Sequence, residues 1–199
     1  MVAKWKGDNT ADVMGRLTMY PVAHMDLVGT VFLPIMSILV QSAGGFALFF
    51  GWAKPVPVNP RNLKNPVEDM FWIALAGPLS NVLLAIVGAL LFFVVTALGF
   101  ITPDNEKAMF GVFGSFVGIN FILAVFNMIP LHPLDGGKVL ARFLPREINQ
   151  ALEDFQPYSM FVILGFFLLG GGSVLFEPVF KVMKFMLGAA YFYGKQLAI

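Results

Sequence analysis

Four stretches of this chain carry no Asp, Glu, Lys or Arg: residues 27–53, 70–103, 108–134 and 155–176. Each exceeds the roughly 20 residues that cross the hydrocarbon core of a bilayer as a helix. Lipid offers no partner to a free N–H or C=O, so such stretches must be helical rather than open strands or loops. The expected fold class is therefore an all-α polytopic membrane protein with four spans, over about 27–50, 70–100, 108–130 and 157–176. A mean hydropathy of +0.78 leaves little polar sequence for a second body, which makes residues 1–199 one membrane-embedded domain.

The charged residues mainly exclude functions. A net charge of +1 provides no basic face for nucleic acid. With no cysteine there is neither a disulfide framework nor thiolate chemistry. Residues 1–26 are polar and lack the apolar core of a cleavable signal peptide. Orientation stays open, because the 13 Lys and Arg residues divide almost evenly between the two sides of a four-span arrangement.

Between the spans the sequence carries several local signals. Gly15 to Tyr20 has the composition of a short strand. Asp26 stands where a helix cap belongs, and His24 beside it reads either as an interfacial side chain or as a metal ligand. The run from Gly51 to Pro60 alternates prolines and cannot be helical. Its Pro55, Val56, Pro57 and Val58 form an extended, hairpin-like region, either an interfacial loop or an edge that pairs with an unwound peptide strand. In Ala76-Gly77-Pro78-Leu79-Ser80-Asn81, Pro78 frees a helix carbonyl, Gly77 permits close approach, and Ser80 and Asn81 can satisfy freed carbonyls. Gly111, Gly114, Ser115 and Gly118 share one helix face, which suggests close packing on a neighbour. Asn120 and Asn127, nearly two turns apart, can face one interior groove. Residues 138–157 read as an interfacial amphipathic helix, 158–176 as a span loosened by Gly170-Gly171-Gly172, and 178–199 as interfacial.

The densest signal runs from Asn127 to Lys138. Pro130 and Pro133 end the third span, and Gly136 and Gly137 permit backbone that other residues avoid. The helix thus breaks at Asp135, the first carboxylate after an uncharged stretch. A carboxylate near membrane depth is a functional-site hypothesis, because an ionised acid there needs a partner.

Asn127, Pro130, Asp135 and Gly136 resemble the Asn-x-x-Pro-x-x-x-x-Asp-Gly pattern of the site-2 proteases, zinc metallopeptidases that cut substrates within the bilayer. Residues 15–18, His24 with Asp26, residues 51–60 and residues 76–81 extend the resemblance to the compact bacterial branch of that family. It implies that Asp135 is a zinc ligand and that Asn127 hydrogen-bonds the substrate carbonyl or oxyanion. It further implies substrate contact at Pro55 to Val58 and support from Gly77, Pro78, Asn81, Pro130 and Gly136. The implied partners are a transmembrane protein substrate and the lipid bilayer, in a bacterial inner membrane. His132 stands where the family has a second proline. It reads as a partner of Asp135 or as part of a substitute site with His24 and Asp135.

The family's His-Glu-x-x-His motif does not occur in these residues. Met1 to Asp8 resembles the segment that follows the helix bearing that motif, so the domain is expected to be incomplete at its N-terminus and inactive alone. Two other readings stay open. One is a catalytically dead relative acting as a scaffold or substrate-binding protein; the other is a transporter using Asp135 as an ion site, which predicts repeats that the sequence lacks.

Overall fold

A computed structural model describes residues 1–18, 20, 22, 25–42, 54 and 56–198. They are helical, with no strand among them. The chain divides into two compact units, Met1–Asp69 and Met70–Ile199.

The first unit opens with two single-turn helices, α1 (Val2–Trp5) and α2 (Thr10–Val13). The strand expected at Gly15 to Tyr20 is not found among the described residues of that stretch. Gly15 instead closes α2 at φ +65°, with Gly15 N–H donating to Asp12 O and Arg16 N–H to Ala11 O. This pair of bonds satisfies the last carbonyls of the helix and needs a left-handed residue, which glycine supplies cheaply.

The first apolar stretch starts as expected. Asp26 Oδ1 accepts from the N–H groups of Val28 and Gly29 at 3.0 and 2.8 Å. Thr30 Oγ1 accepts the Asp26 N–H at 3.0 Å, so the two side chains together satisfy N–H groups at the same helix start. A wide π-type turn over Leu27–Phe32 runs into α3 (Leu33–Ser42); the rest of that expected span lies outside the described residues. A 3-10 turn, Pro60–Asn62, precedes α4 (Pro66–Ala97). Glu68 and Asp69 in the first turn of α4 suit its positive end. The hairpin expected around residues 51–60 has no strand among its described residues.

The second unit is built on long helices: the body of α4, α5 (Glu106–Asn127), α6 (Asp135–Ala141), α7 (Arg146–Asp154), α8 (Gln156–Leu168) and α9 (Gly171–Leu197). Its core gathers Ala85, Ala89 and Phe92 from α4, Val117 from α5 and Leu187 from α9, with Ile101 from the α4–α5 turn. The Phe92 ring lies 4.9 Å from Phe110 and 5.0 Å from Phe113, within the range of favourable aromatic pairs.

Of the small residues expected to pack closely along α5, Gly118 does so and Gly111 does not, having nothing within 4 Å of an added Cβ; Gly88 of α4 adds a second close approach. A Cβ on Gly118 would come within 2.9 Å of Met183 Sδ, and one on Gly88 within 2.6 Å of the Phe116 ring. Helices in lipid gain most from such close packing, since lipid tails are as apolar as the side chains they touch.

Four spans are expected, and the described residues contain two helices long and apolar enough to cross a membrane, α4 and α5. A third span exists if α8 and α9, bent by 73° at their junction, act as one. Two expectations are corrected there. The segment 157–176 is not one helix, because Gly170 at φ +86° ends α8 and a new helix begins at Gly171. Residues 178–197 are not a separate interfacial element but the body of the 27-residue α9. Residues 138–157 hold α7 as an amphipathic helix with no buried residue.

Candidate functional site

The residues from Asn127 to Lys138 that the sequence singles out lie where α5 gives way to α6. Residues 128–134 do not wander between these helices; they fold through successive tight turns. Ile129 N–H donates to Phe126 O, Leu131 N–H to Ile129 O, Leu134 N–H to Leu131 O and Gly137 N–H to Leu134 O, at 2.8 to 3.2 Å. Groups freed by Pro130 and Pro133 thus remain next to locally satisfied backbone, which a break near the membrane requires. The His132–Pro133 peptide bond is cis.

Gly136 shows why the sequence must be so here. A Cβ at that position would lie 2.4 Å from the carbonyl oxygens of both Met128 and Ile129. Those are backbone atoms that cannot swing aside. Gly137 is nearly as tight, 2.8 Å from His132 N. The two glycines let the turn region fold back onto the start of α6, and this sets the position of Asp135.

Asp135 occupies the first turn of α6 and is partly exposed. A Cβ added to Gly77 would meet Asp135 Oδ2 at 3.0 Å. The motif of α4 and the motif after α5 are therefore in contact through a glycine and the carboxylate it admits. Lys138 Nζ lies 3.7 Å from Asp135 Oδ1. Burial raises the Asp135 carboxyl above its ordinary range, and Lys138 pulls it back only in part.

Pro78 is buried in α4. The Ser80 hydroxyl donates to Ala76 O and Gly77 O at 2.8 and 2.7 Å, so it caps carbonyls near the proline rather than the one four residues before it. Pro78 and Pro130 both border an apolar groove of about 740 Å³, shared with Leu79, Ala124, Met128 and Phe166.

Asn127 and Asn120 each turn one amide N–H back to their own helix. Asn127 Nδ2 donates to Leu123 O at 2.9 Å and Asn120 Nδ2 to Phe116 O at 2.8 Å. The bond to Leu123 O uses one of the two N–H groups of the Asn127 amide, and the second can donate without breaking it. His132 does not pair with Asp135. It is 8 % exposed and its Nε2 has no hydrogen-bond partner. Burial lowers its pKa, with Glu153 opposing and Lys138 assisting.

His24 and Pro55 lie outside the described residues, so a substitute site using His24 is not among them. Val56, Pro57 and Val58 belong to the first unit, where Val56 is exposed.

The side chains present do not by themselves fit a catalytic zinc. Such an ion takes three protein ligands, and no group of three His, Cys, Asp or Glu side chains comes together among the described residues. Asp135 offers oxygen only, with an ammonium beside it.

One organising residue has no motif to betray it. Asp8 is 1 % exposed and accepts from Asn59 N–H at 2.9 Å, Asn62 Nδ2 at 2.8 Å, Thr10 N–H at 3.1 Å and the Thr10 hydroxyl. Burial raises its pKa, but these donors outweigh burial and bring it down to about 2. Its partners lie some fifty residues on, and a linear reading does not show pairing.

Comparison with known proteins places residues 104–170, from just before α5 to the end of α8, under the model for Peptidase family M50. The "Putative zinc metalloprotease YwhC" of Bacillus subtilis is 33 % identical over 174 residues, covering 87 % of this chain and 74 % of that protein. The "Putative zinc metalloprotease MJ0611" of Methanocaldococcus jannaschii is 41 % identical over 96 residues, 47 % of this chain and 46 % of that protein. No solved structure gives a significant match.

Proposed function

This chain belongs to Peptidase family M50, the site-2 protease family, and we propose that it forms the substrate-binding and acid-ligand part of an intramembrane zinc metalloprotease. The observation that carries the reading is the contact between the two motifs: Gly77 of α4 leaves room for the Asp135 carboxylate, 3.0 Å from where a Cβ would stand. In this reading Asp135 is one ligand of the zinc. The remaining ligands and the general base come from a His-Glu-x-x-His segment, which these 199 residues do not contain.

The roles of the residues present follow from their chemistry. Asn127 keeps one amide N–H on Leu123 O and donates the other to the scissile carbonyl, a bond that strengthens as negative charge develops on that oxygen. The apolar groove beside Pro78 and Pro130 keeps the approach to Asp135 dry on one side, and so strengthens nearby electrostatic contacts. Val56 to Val58 pair with a substrate segment that has left its helix, since a helix uses its own backbone groups and offers none to a protease. The substrate is a membrane-spanning protein, the surroundings are a bacterial cell membrane, and the 199 residues alone are inactive.

Cleavage of a membrane-spanning model substrate tests this. The 199-residue chain is compared with a form extended by the upstream reading frame, both reconstituted in lipid with zinc. The reading expects cleavage only in the extended form and its loss in Asp135→Ala. If the extended form is also inert, the chain is a dead relative that binds or scaffolds; if the short chain cleaves, the ligand assignment fails.

A further inference from the structure

The sequence Pro55-Val56-Pro57-Val58-Asn59 alternates residues that lack an N–H with residues that have one. In extended backbone, the N–H and C=O of alternate residues point to opposite sides. Asn59 is extended, at φ −98° and ψ 107°, and Val56 precedes a proline, which also favours extended backbone. The N–H of Asn59 is taken by Asp8 Oδ2 at 2.9 Å. Along an extended run, the side facing Asp8 therefore belongs to residues 57 and 59, and Pro57 leaves no donor unpaired on it. By that alternation the N–H and C=O groups of Val56 and Val58 fall on the opposite side. The edge has one closed side and one open side.

The closed side is held firmly. Asp8 Oδ1 is fixed by Asn62 Nδ2 at 2.8 Å and by Thr10 N–H at 3.1 Å, and Asn59 Oδ1 in turn accepts the Arg61 N–H at 3.1 Å. A second tie runs from Lys6 to Asp69, 2.9 Å apart, with Asp69 also accepting the Asn65 N–H at 3.0 Å. The segment that follows the edge is thus pinned to residues 6–10 at two points, each through a carboxylate buried to 5 % exposure or less.

We propose that Asp8 is a positioning residue for substrate pairing: by holding the Asn59 N–H it closes one side of the extended edge and aims the backbone groups of Val56 and Val58 at an extended, apolar substrate strand. The assignment rests on the reading of residues 55–58 as the substrate-pairing edge. It adds which side of that edge pairs, which two residues supply the bonds, and which buried side chain fixes the register.

The two oxygens of Asp8 make the test selective. Asp8→Asn puts an amide nitrogen opposite the Asn59 N–H, so two donors face each other there, while Oδ1 keeps Thr10 and Asn62. Asn62→Ala removes a bond from Oδ1 and leaves the Asn59 tie intact. The 199-residue chain in lipid nanodiscs is titrated with a synthetic apolar peptide kept extended by central Gly and Pro residues. Affinity is read together with hydrogen exchange at the Val56 and Val58 amides and with thermal stability. The expected result is protection of both amides by the peptide, an affinity about tenfold weaker in Asp8→Asn, as one charge-assisted hydrogen bond allows, and near-native affinity in Asn62→Ala at a similar loss of stability.

Equal weakening in the two variants, or none in Asp8→Asn, overturns the positioning role. If Asp8→Asn does not fold, Asn59→Pro deletes the donor of the same bond and is expected to weaken binding likewise; unchanged affinity there overturns the role too. Val58→Pro removes an N–H from the open side. If it leaves affinity and exchange unchanged, residues 55–58 are not the pairing edge and the underlying reading fails; if it abolishes binding while Asp8→Asn does not alter it, only the role of Asp8 falls.

Discussion

The two units are held by different physics. In residues 1–69 the fixed points are two buried carboxylates, Asp8 and Asp69, which collect donors from parts of the chain some fifty to sixty residues apart. In residues 70–199 the fixed points are apolar and distributed: Phe92 among aromatic rings, and glycines that let helices touch. A few charge-assisted bonds fail abruptly when one group changes. A packed surface yields locally unless the obstructing atom is backbone.

The largest effect therefore belongs to a backbone clash. Gly136→Ala forces a Cβ against two carbonyl oxygens at 2.4 Å, and the expected destabilisation is about 3 kcal/mol, at the upper end for overpacking. Thermal unfolding in detergent should show it, with Asp135 displaced as a consequence. A variant of wild-type stability would mean that the turn at 128–134 is not packed on α6 as described.

Next comes the polar clasp. Asp8→Ala leaves the donors of Asn59, Asn62 and Thr10 without their acceptor, for about 2–3 kcal/mol. Acid should do the same to the native chain. The Asp8 pKa is about 2 folded against 3.8 for an unperturbed carboxyl, so the unfolded state binds more protons between these values and stability rises with pH. The contribution is complete above pH 3.8 and is lost as pH falls toward 2. With Trp52 and Trp72 changed to Phe, Trp5 fluorescence during denaturant unfolding reports this unit; an unfolding midpoint unmoved between pH 5 and pH 2 would contradict the assignment.

The smallest effect tests the distributed core. Gly118→Ala meets only Met183 Sδ, the far end of a flexible thioether chain. The cost should stay within about 1 kcal/mol, which the same unfolding assay resolves. A loss as large as that of Gly136→Ala would show that α5 and α9 are locked as rigidly as the turn region.

How far the sequence speaks follows the same division. The bodies of α4 and α5, the cap at Asp26 and the break before Asp135 are written in local order, as uncharged runs, a capping acid, prolines and glycines. At Gly170 the loosening read from three glycines is a full break between two helices, because an apolar run reads alike whether or not one glycine inside it turns left-handed. The strand expected at Gly15 failed because that glycine serves the end of α2. His132 and Asp135 are three residues apart, yet one belongs to the turns and the other to a helix, so closeness in sequence did not become a bond. Asp8 was invisible because its partners lie at residues 59 and 62. The family resemblance implied only that the motif around Gly77 lies near the site, and the packing of α4 on the turn region shows the contact with Asp135.

Zinc stoichiometry, measured by elemental analysis on the form that carries a His-Glu-x-x-His segment and on its Asp135→Ala variant, bears most directly on the central claim that Asp135 is a metal ligand. The account expects close to one zinc per chain in the first and a clear loss in the second, with the helical content of both unchanged. Zinc retained in full by Asp135→Ala, or absent from both, would contradict it.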